Sequence, residues 1–286
     1  MKIKSILLIL ALPVVFMSCV VTKTSLFERA VDDAAVVEQS DVYDKLVAIK
    51  KGNESLVWDT QTDRVLVVMW KSRQSFEKFY KGKTATGTDT KYLTWVTTAP
   101  QVKQFAKDYL SKFPLAPKDE VDLRLKQYLG LKPEWTYDVF VEMWVAPEDL
   151  FRPCPDPEID DTVCELAFPE KTPAVKGIDC YPCFYKDLYF NDFRTRPGTP
   201  WTGLGYTYDW GSRESPFGAS EFIMIPGAAY EIERVVDTMD YIKEKELKPK
   251  KYTKLKRRNP NATDLCTRLE RHQYGYLRRS SPGIVQ

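Results

Sequence analysis

The six residues VLVVMW, 65–70, are apolar without interruption. A run of that kind reads as a central β-strand covered on both faces. The chain must therefore supply two covering layers. The preceding stretch, SLVWDTQTDR, places a second strand-like run ahead of a polar turn at 60–63, so the pair reads as a β-hairpin. TYDVFVEMWV predicts another strand. Phe140, Glu142 and Trp144 share one of its faces, and Val139, Val141, Met143 and Val145 share the other. A glutamate so placed pairs with an arginine or lies on a partly wet face, with a role in a site as the alternative.

Helices fill the intervals. Ser25 followed by Glu28 looks like a capping box, continued by Phe27, Ala30, Val31, Ala34, Ala35 and Val37. YDKLVAIKKGN extends helical character to Gly52, and RQSFEKFYKG is a short helix closed by Gly82. After the strand TKYLTWVTT, Pro100 opens a helix with Val102, Phe105, Ala106, Tyr109, Leu110 and Phe113 on one face. PKDEVDLRLKQYLG is a further helix with Gly130 at C′. WTGLGYTYDWG and SEFIMIPGAAYEIERVV return to β-character, and the chain turns helical again from Asp237. Strands and helices mix without a regular βαβ alternation. The expected class is α+β: a single mixed domain over 25–242 with a central, mostly antiparallel sheet flanked by helices. Residues 147–199, rich in proline and cysteine, read as an insertion that is functional or a cover.

The N-terminus carries Lys2 and Lys4 and then an apolar run over 6–16, too short to span a bilayer. This is the pattern of a secretory signal over 1–18. Phe16-Met17-Ser18-Cys19 resembles the lipobox of bacterial lipoproteins. The resemblance implies cleavage before Cys19, a diacylglyceryl group on its sulfur and an acyl chain such as palmitate on its amine. An ordinary signal peptide containing Cys19 is the alternative. Several acyl chains anchor stably where one does not. The expected address is the bacterial cell membrane or outer membrane, non-cytoplasmic, with 19–24 as a linker. The formal net charge of +2 points to no particular partner, although the tail, 243–286, opens with the basic run KEKELKPKKYTKLKRR. It reads as a solvated, partly helical segment. The expected partners are the membrane, through the lipid, and an envelope ligand or protein, not nucleic acid.

Five cysteines remain: Cys154, Cys164, Cys180, Cys183 and Cys266. In an exported chain the first four are expected to form disulfides across the insertion, with three pairings open. A zinc site is the alternative, as Cys180-x-x-Cys183 has chelate spacing. CYPC also has the proline of a thioredoxin-type redox pair, but not that fold's preceding strand and following helix. The single histidine, His272, excludes a multi-histidine metal site within one chain and leaves a Ser-His-Asp or Cys-His hydrolase only that residue. DPEIDD, 156–161, lacks the Gly and terminal Glu of an EF-hand loop and reads as a solvated acidic loop.

In GASEFIMIPGAAYEIERV, Glu221 stands ahead of four apolar residues and a Pro-Gly turn. This resembles the C-terminal catalytic strand of the ADP-ribosyltransferase superfamily, with Glu221, Pro226 and Gly227 on the family's positions. YLTWVTTAPQVKQFAKDY is similar to the family's second motif, with Thr97 and Thr98 as its hydroxyls. Arg64 stands near the place of the first-motif arginine, with Arg73 following. Ala219 occupies a position where many members carry a second acidic residue or glutamine. The resemblance implies NAD as cofactor and a carboxylate at Glu221 that stabilises positive charge on the ribose. Without it, Glu221 caps a turn, pairs with a basic residue or faces water. RLKQYLGL, FVEMWVAPEDLFRPCPDPEI, GTPWTGLGYTYDWG and GASEFIMIPGA together resemble a family of exported bacterial proteins for which no activity is established. The leading expectation is a lipid-anchored envelope protein that binds without catalysis and needs no cofactor. The aromatics of WTGLGYTYDW either stack on glycan or fill a β core. The alternative is an NAD-dependent transferase using Glu221.

Overall fold

The computed structural model describes residues 18–171, 173–195 and 198–244, with side chains from residue 26 onward. The chain divides into Met1–Leu247 and Lys248–Gln286. The signal segment up to residue 17 and the tail beyond Glu244, with Cys266 and His272, lie outside the described residues.

In chain order the elements are α1 (Ser18–Asp33), β1 (Trp58–Asp59), β2 (Arg64–Lys71), α2 (Arg73–Phe79), β3 (Thr94–Thr98), α3 (Ala99–Lys112) and α4 (Lys118–Tyr128). There follow β4 (Val139–Val145), β5 (Leu150–Phe151), α5 (Tyr181–Asp187), β6 (Tyr206–Tyr208), β7 (Phe217–Ser220), β8 (Phe222–Met224), β9 (Tyr230–Asp237) and α6 (Thr238–Lys243). A seven-stranded sheet runs β5-β8-β3-β2-β4-β9, with β1 added to β2. Its pairings are antiparallel. β6 and β7 form a separate ribbon. The fold is α+β.

The apolar run of β2 lies between β3 and β4, and residues 65–70 are all buried. Val65, Val67 and Met69 join Val139, Val141, Met143 and Val145 in one core. Leu66, Val68 and Trp70 join Phe140 and Trp144 in the other, under Val102 and Ala106 of α3, Leu125 of α4 and Tyr241 of α6. Helices thus cover one face. The first core is closed by residues of the insertion and its exit, including Tyr181, Leu188 and Trp201. Each side chain of this size that leaves water contributes roughly 1.5–3 kcal/mol.

Local signals hold where they were strongest. Ser72 caps α2 by accepting the Ser75 N–H at 3.1 Å. Asp63 takes the positive φ, 55°, that turns β1 into β2. Two expectations need correction. α1 is already under way at Ser25, so no capping box opens there, and 19–24 are helical. Residues 42–52 are not helical. Leu46 and Ile49 donate their N–H groups to Thr162 O (2.9 Å) and Ile159 O (2.6 Å), and their side chains are buried. Tertiary pairing with the insertion overrides helix propensity there.

The insertion is built around Arg152, which is 0% exposed. Its guanidinium pairs with the Asp161 carboxylate and donates to Asp161 O (3.0 Å), Val163 O (3.3 Å) and Val47 O (3.3 Å). A buried arginine needs such a set of acceptors. It fixes the insertion to the segment around Val47. Two disulfides, Cys154–Cys164 and Cys180–Cys183, complete it. The four cysteines are therefore oxidised in pairs and supply no thiolate set for zinc.

Candidate functional site

Glu221 sits at the break between β7 and β8. Its N–H donates to Gly205 O at 2.9 Å. Gly205 has φ of 74°, and a Cβ there would meet Arg152 Cδ at 2.5 Å, so only glycine fits. The Glu221 side chain is buried, and Trp201 Nε1 donates to its Oε1 at 3.0 Å. Burial pushes the carboxyl up to about 8, against the opposing pull of the Trp201 hydrogen bond. The group therefore holds its proton at neutral pH.

The donor, Trp201, stands in a cluster of rings. Trp201 stacks on Phe193 at 4.7 Å, meets Trp95 edge-on at 6.4 Å and lies 5.3 Å from Tyr185. The Tyr185 hydroxyl donates to Gly203 O at 3.1 Å, tying α5 to the loop that carries Trp201. Burial raises the Tyr185 and Tyr206 hydroxyls well above the ordinary tyrosine range, and the neighbouring Glu221 acts in the same direction.

Thr97 and Thr98 end β3, opposite Val68 and Val67 of β2. Val96 pairs with Phe222, the residue after Glu221. The Thr97 hydroxyl donates to Gln101 Oε1 (3.4 Å), which also accepts the Ser220 N–H (3.0 Å). Gln101 of α3 thus joins the end of β3 to the end of β7. Thr98 is buried at the N-cap of α3 without a side-chain cap bond. Arg64 is not part of this group. It opens β2 opposite Asp59, four residues from Val68, or about 13 Å along the strand. Its guanidinium lies 3.9 Å from the Glu231 carboxylate. Arg73 pairs with Asp237. Gln101 links Thr97 to Ser220, the residue before Glu221, and both arginines are paired elsewhere.

The aromatics considered for glycan stacking are core residues: Trp201, Tyr206 and Trp210 are buried. Phe27 of α1 meets Trp210 edge-on at 5.5 Å. Asp156, Glu158 and Asp161 bring carboxylate oxygens within 4.8 Å of one another. Internal partners account for two of them. Asp161 pairs with Arg152, and Asp156 accepts the Glu165 N–H at 2.8 Å. Burial raises Asp156 to about 6. Cys180 caps α5, and a π-helical run, Leu188–Phe193, continues that helix. CYPC therefore does precede a helix, contrary to the sequence reading.

Sequence reasoning missed Trp201, Arg152 and Gln101. Each acts on a group at least 50 residues away or across a loop of unpredictable path, so no local pattern marks it. Cys19 lies within α1, but its side chain is outside the described residues. No helix among the described residues is long and apolar enough to cross a membrane. Comparison with known families, with curated proteins and with solved structures found no match to this chain.

Proposed function

We propose that this chain is an exported bacterial envelope domain, tethered to a membrane through lipid on Cys19, that binds an envelope ligand or protein partner without catalysis. The observation that carries the non-catalytic part is the state of Glu221. A carboxyl that stabilises a ribose cation must be ionised and open to the sugar. Glu221 is buried and bonded to Trp201, and burial pushes its carboxyl up to about 8. The leader ending at Cys19 and the two disulfides support the address, since such cross-links persist in oxidising compartments.

An NAD-dependent transferase is the second reading. The Gln101 amide oxygen favours it, since it accepts both the Thr97 hydroxyl and the N–H of Ser220, the residue before Glu221. Calorimetry with NAD and an assay for released nicotinamide separate the two. The binding reading expects neither heat nor product. NAD turnover that disappears in Glu221→Gln overturns it. Intact-mass analysis of the native product tests the tether: the expected N-terminus is an acylated Cys19, and a chain beginning at Met1 without fatty acid contradicts it.

A further inference from the structure

The two disulfides of the insertion occupy opposite surroundings. Cys154 and Cys164 are 0% and 1% exposed and share a core cluster with Leu46, Leu204 and Tyr206. Cys180 and Cys183 are both exposed, and only Tyr181 and Pro182 separate them. We propose that Cys180–Cys183 is an exchangeable disulfide that oxidises cysteine thiols of a partner protein, while Cys154–Cys164 is a permanent cross-link. The proposal goes beyond the tethered-domain reading and does not depend on the lipid.

Exchange needs an accessible sulfur and a leaving sulfur that can hold negative charge. Both are present. An incoming partner thiolate attacks Cys183 Sγ, the S–S bond breaks, and its electron pair passes to Cys180 Sγ. The Cys183 N–H already donates to that sulfur at 3.2 Å and stabilises the thiolate formed. A second partner thiolate then attacks the partner's own sulfur in the mixed disulfide, and Cys183 leaves as a thiolate. Two partner thiols have lost two electrons and become a disulfide. The cystine has gained those electrons, and the two protons lost by the partner balance the two new cysteine thiols.

The fold tolerates the opening. Tyr181 is buried and donates its hydroxyl to Cys154 O (2.6 Å) and Arg152 O (3.1 Å). Tyr185 is tied to Gly203. These bonds hold α5 in place whether or not Cys180 and Cys183 are joined. The Cys154–Cys164 bond, by contrast, sits beside Arg152 and Gly205, where a reducing thiol has no approach without local unfolding.

The test equilibrates the full chain in graded mixtures of reduced and oxidised dithiothreitol, alkylates free thiols and maps them by peptide mass. Cys180 and Cys183 are expected to become alkylated at a reduced-to-oxidised ratio at least tenfold below that needed for Cys154 and Cys164, with the near-ultraviolet circular dichroism unchanged. A smaller separation, or loss of that signal as Cys180 and Cys183 open, overturns the proposal. Cys180→Ser supplies a second readout in oxidised glutathione. Cys183 is expected to retain one glutathione, and an unmodified Cys183 contradicts the assigned point of attack.

Discussion

Two glutamates are buried in this domain by different means. Glu142 of β4 lies in register with Arg234 of β9, and the two side chains form an ion pair. Arg234 continues to Glu244 at 2.6 Å, and Glu244 to Lys103 at 2.9 Å. The hydrogen bond that Arg234 donates to Glu142 raises the guanidinium above its already high ordinary value. Among the described residues, no cation pairs with Glu221. It is accommodated as a neutral acid with one indole donor. A buried carboxyl is either paired or protonated, because an isolated charge in a dry interior costs too much. The paired glutamate is held by its cation, while the unpaired one makes stability depend on pH.

Breaking the pair should have the largest effect. Arg234→Met leaves Glu142 buried beside an uncharged chain and is expected to cost about 3–5 kcal/mol in urea unfolding. Adding Glu142→Gln should recover much of that loss. If the double variant is no more stable than Arg234→Met, the cost lay in packing and not in the charge.

Glu221→Gln should act in the opposite sense, and increasingly as pH rises above the ordinary carboxyl value. The folded value of about 8 lies above the ordinary carboxyl value of about 4.3. The contribution of the neutral acid is fully present below about pH 4.3 and is lost as pH rises through about 8. Glutamine keeps the acceptor for Trp201 and never ionises. It should lie within about 1 kcal/mol of the native protein at pH 5 and gain on it steadily up to about pH 8. Equal stability of the two at both pH values would remove the contrast between the glutamates. Trp201→Phe is the smallest change. It keeps most of the ring packing but removes the donor, costing about 1–2 kcal/mol. It should also shift the Glu221 titration further upward.

The two carboxyls also differ in how far the sequence discloses them. Alternation in VFVEMWV places Glu142 on the face shared with Phe140 and Trp144, and an arginine partner is the ordinary outcome there. The central strands, the proline-led helix at Pro100 and the Gly130 stop follow from equally local patterns. Glu221 shows its environment only in three dimensions, because its donor is Trp201, which packs on Phe193 and Tyr185 from an irregular insertion. The same reason accounts for residues 42–52. Their composition favours a helix, but Leu46 and Ile49 find their backbone partners more than 100 residues away. Arg152 was equally hidden, since its acceptors come from loops without regular structure.

The most direct test is the titration of the Glu221 carboxyl itself, followed by NMR on protein carrying side-chain carboxyl ¹³C glutamate and assigned by the resonance missing in Glu221→Gln. A midpoint at about 8 is the expected result. A midpoint in the ordinary range near about 4.3 would mean an ionised, solvated carboxylate at neutral pH, and would return Glu221 to the role of a catalytic candidate.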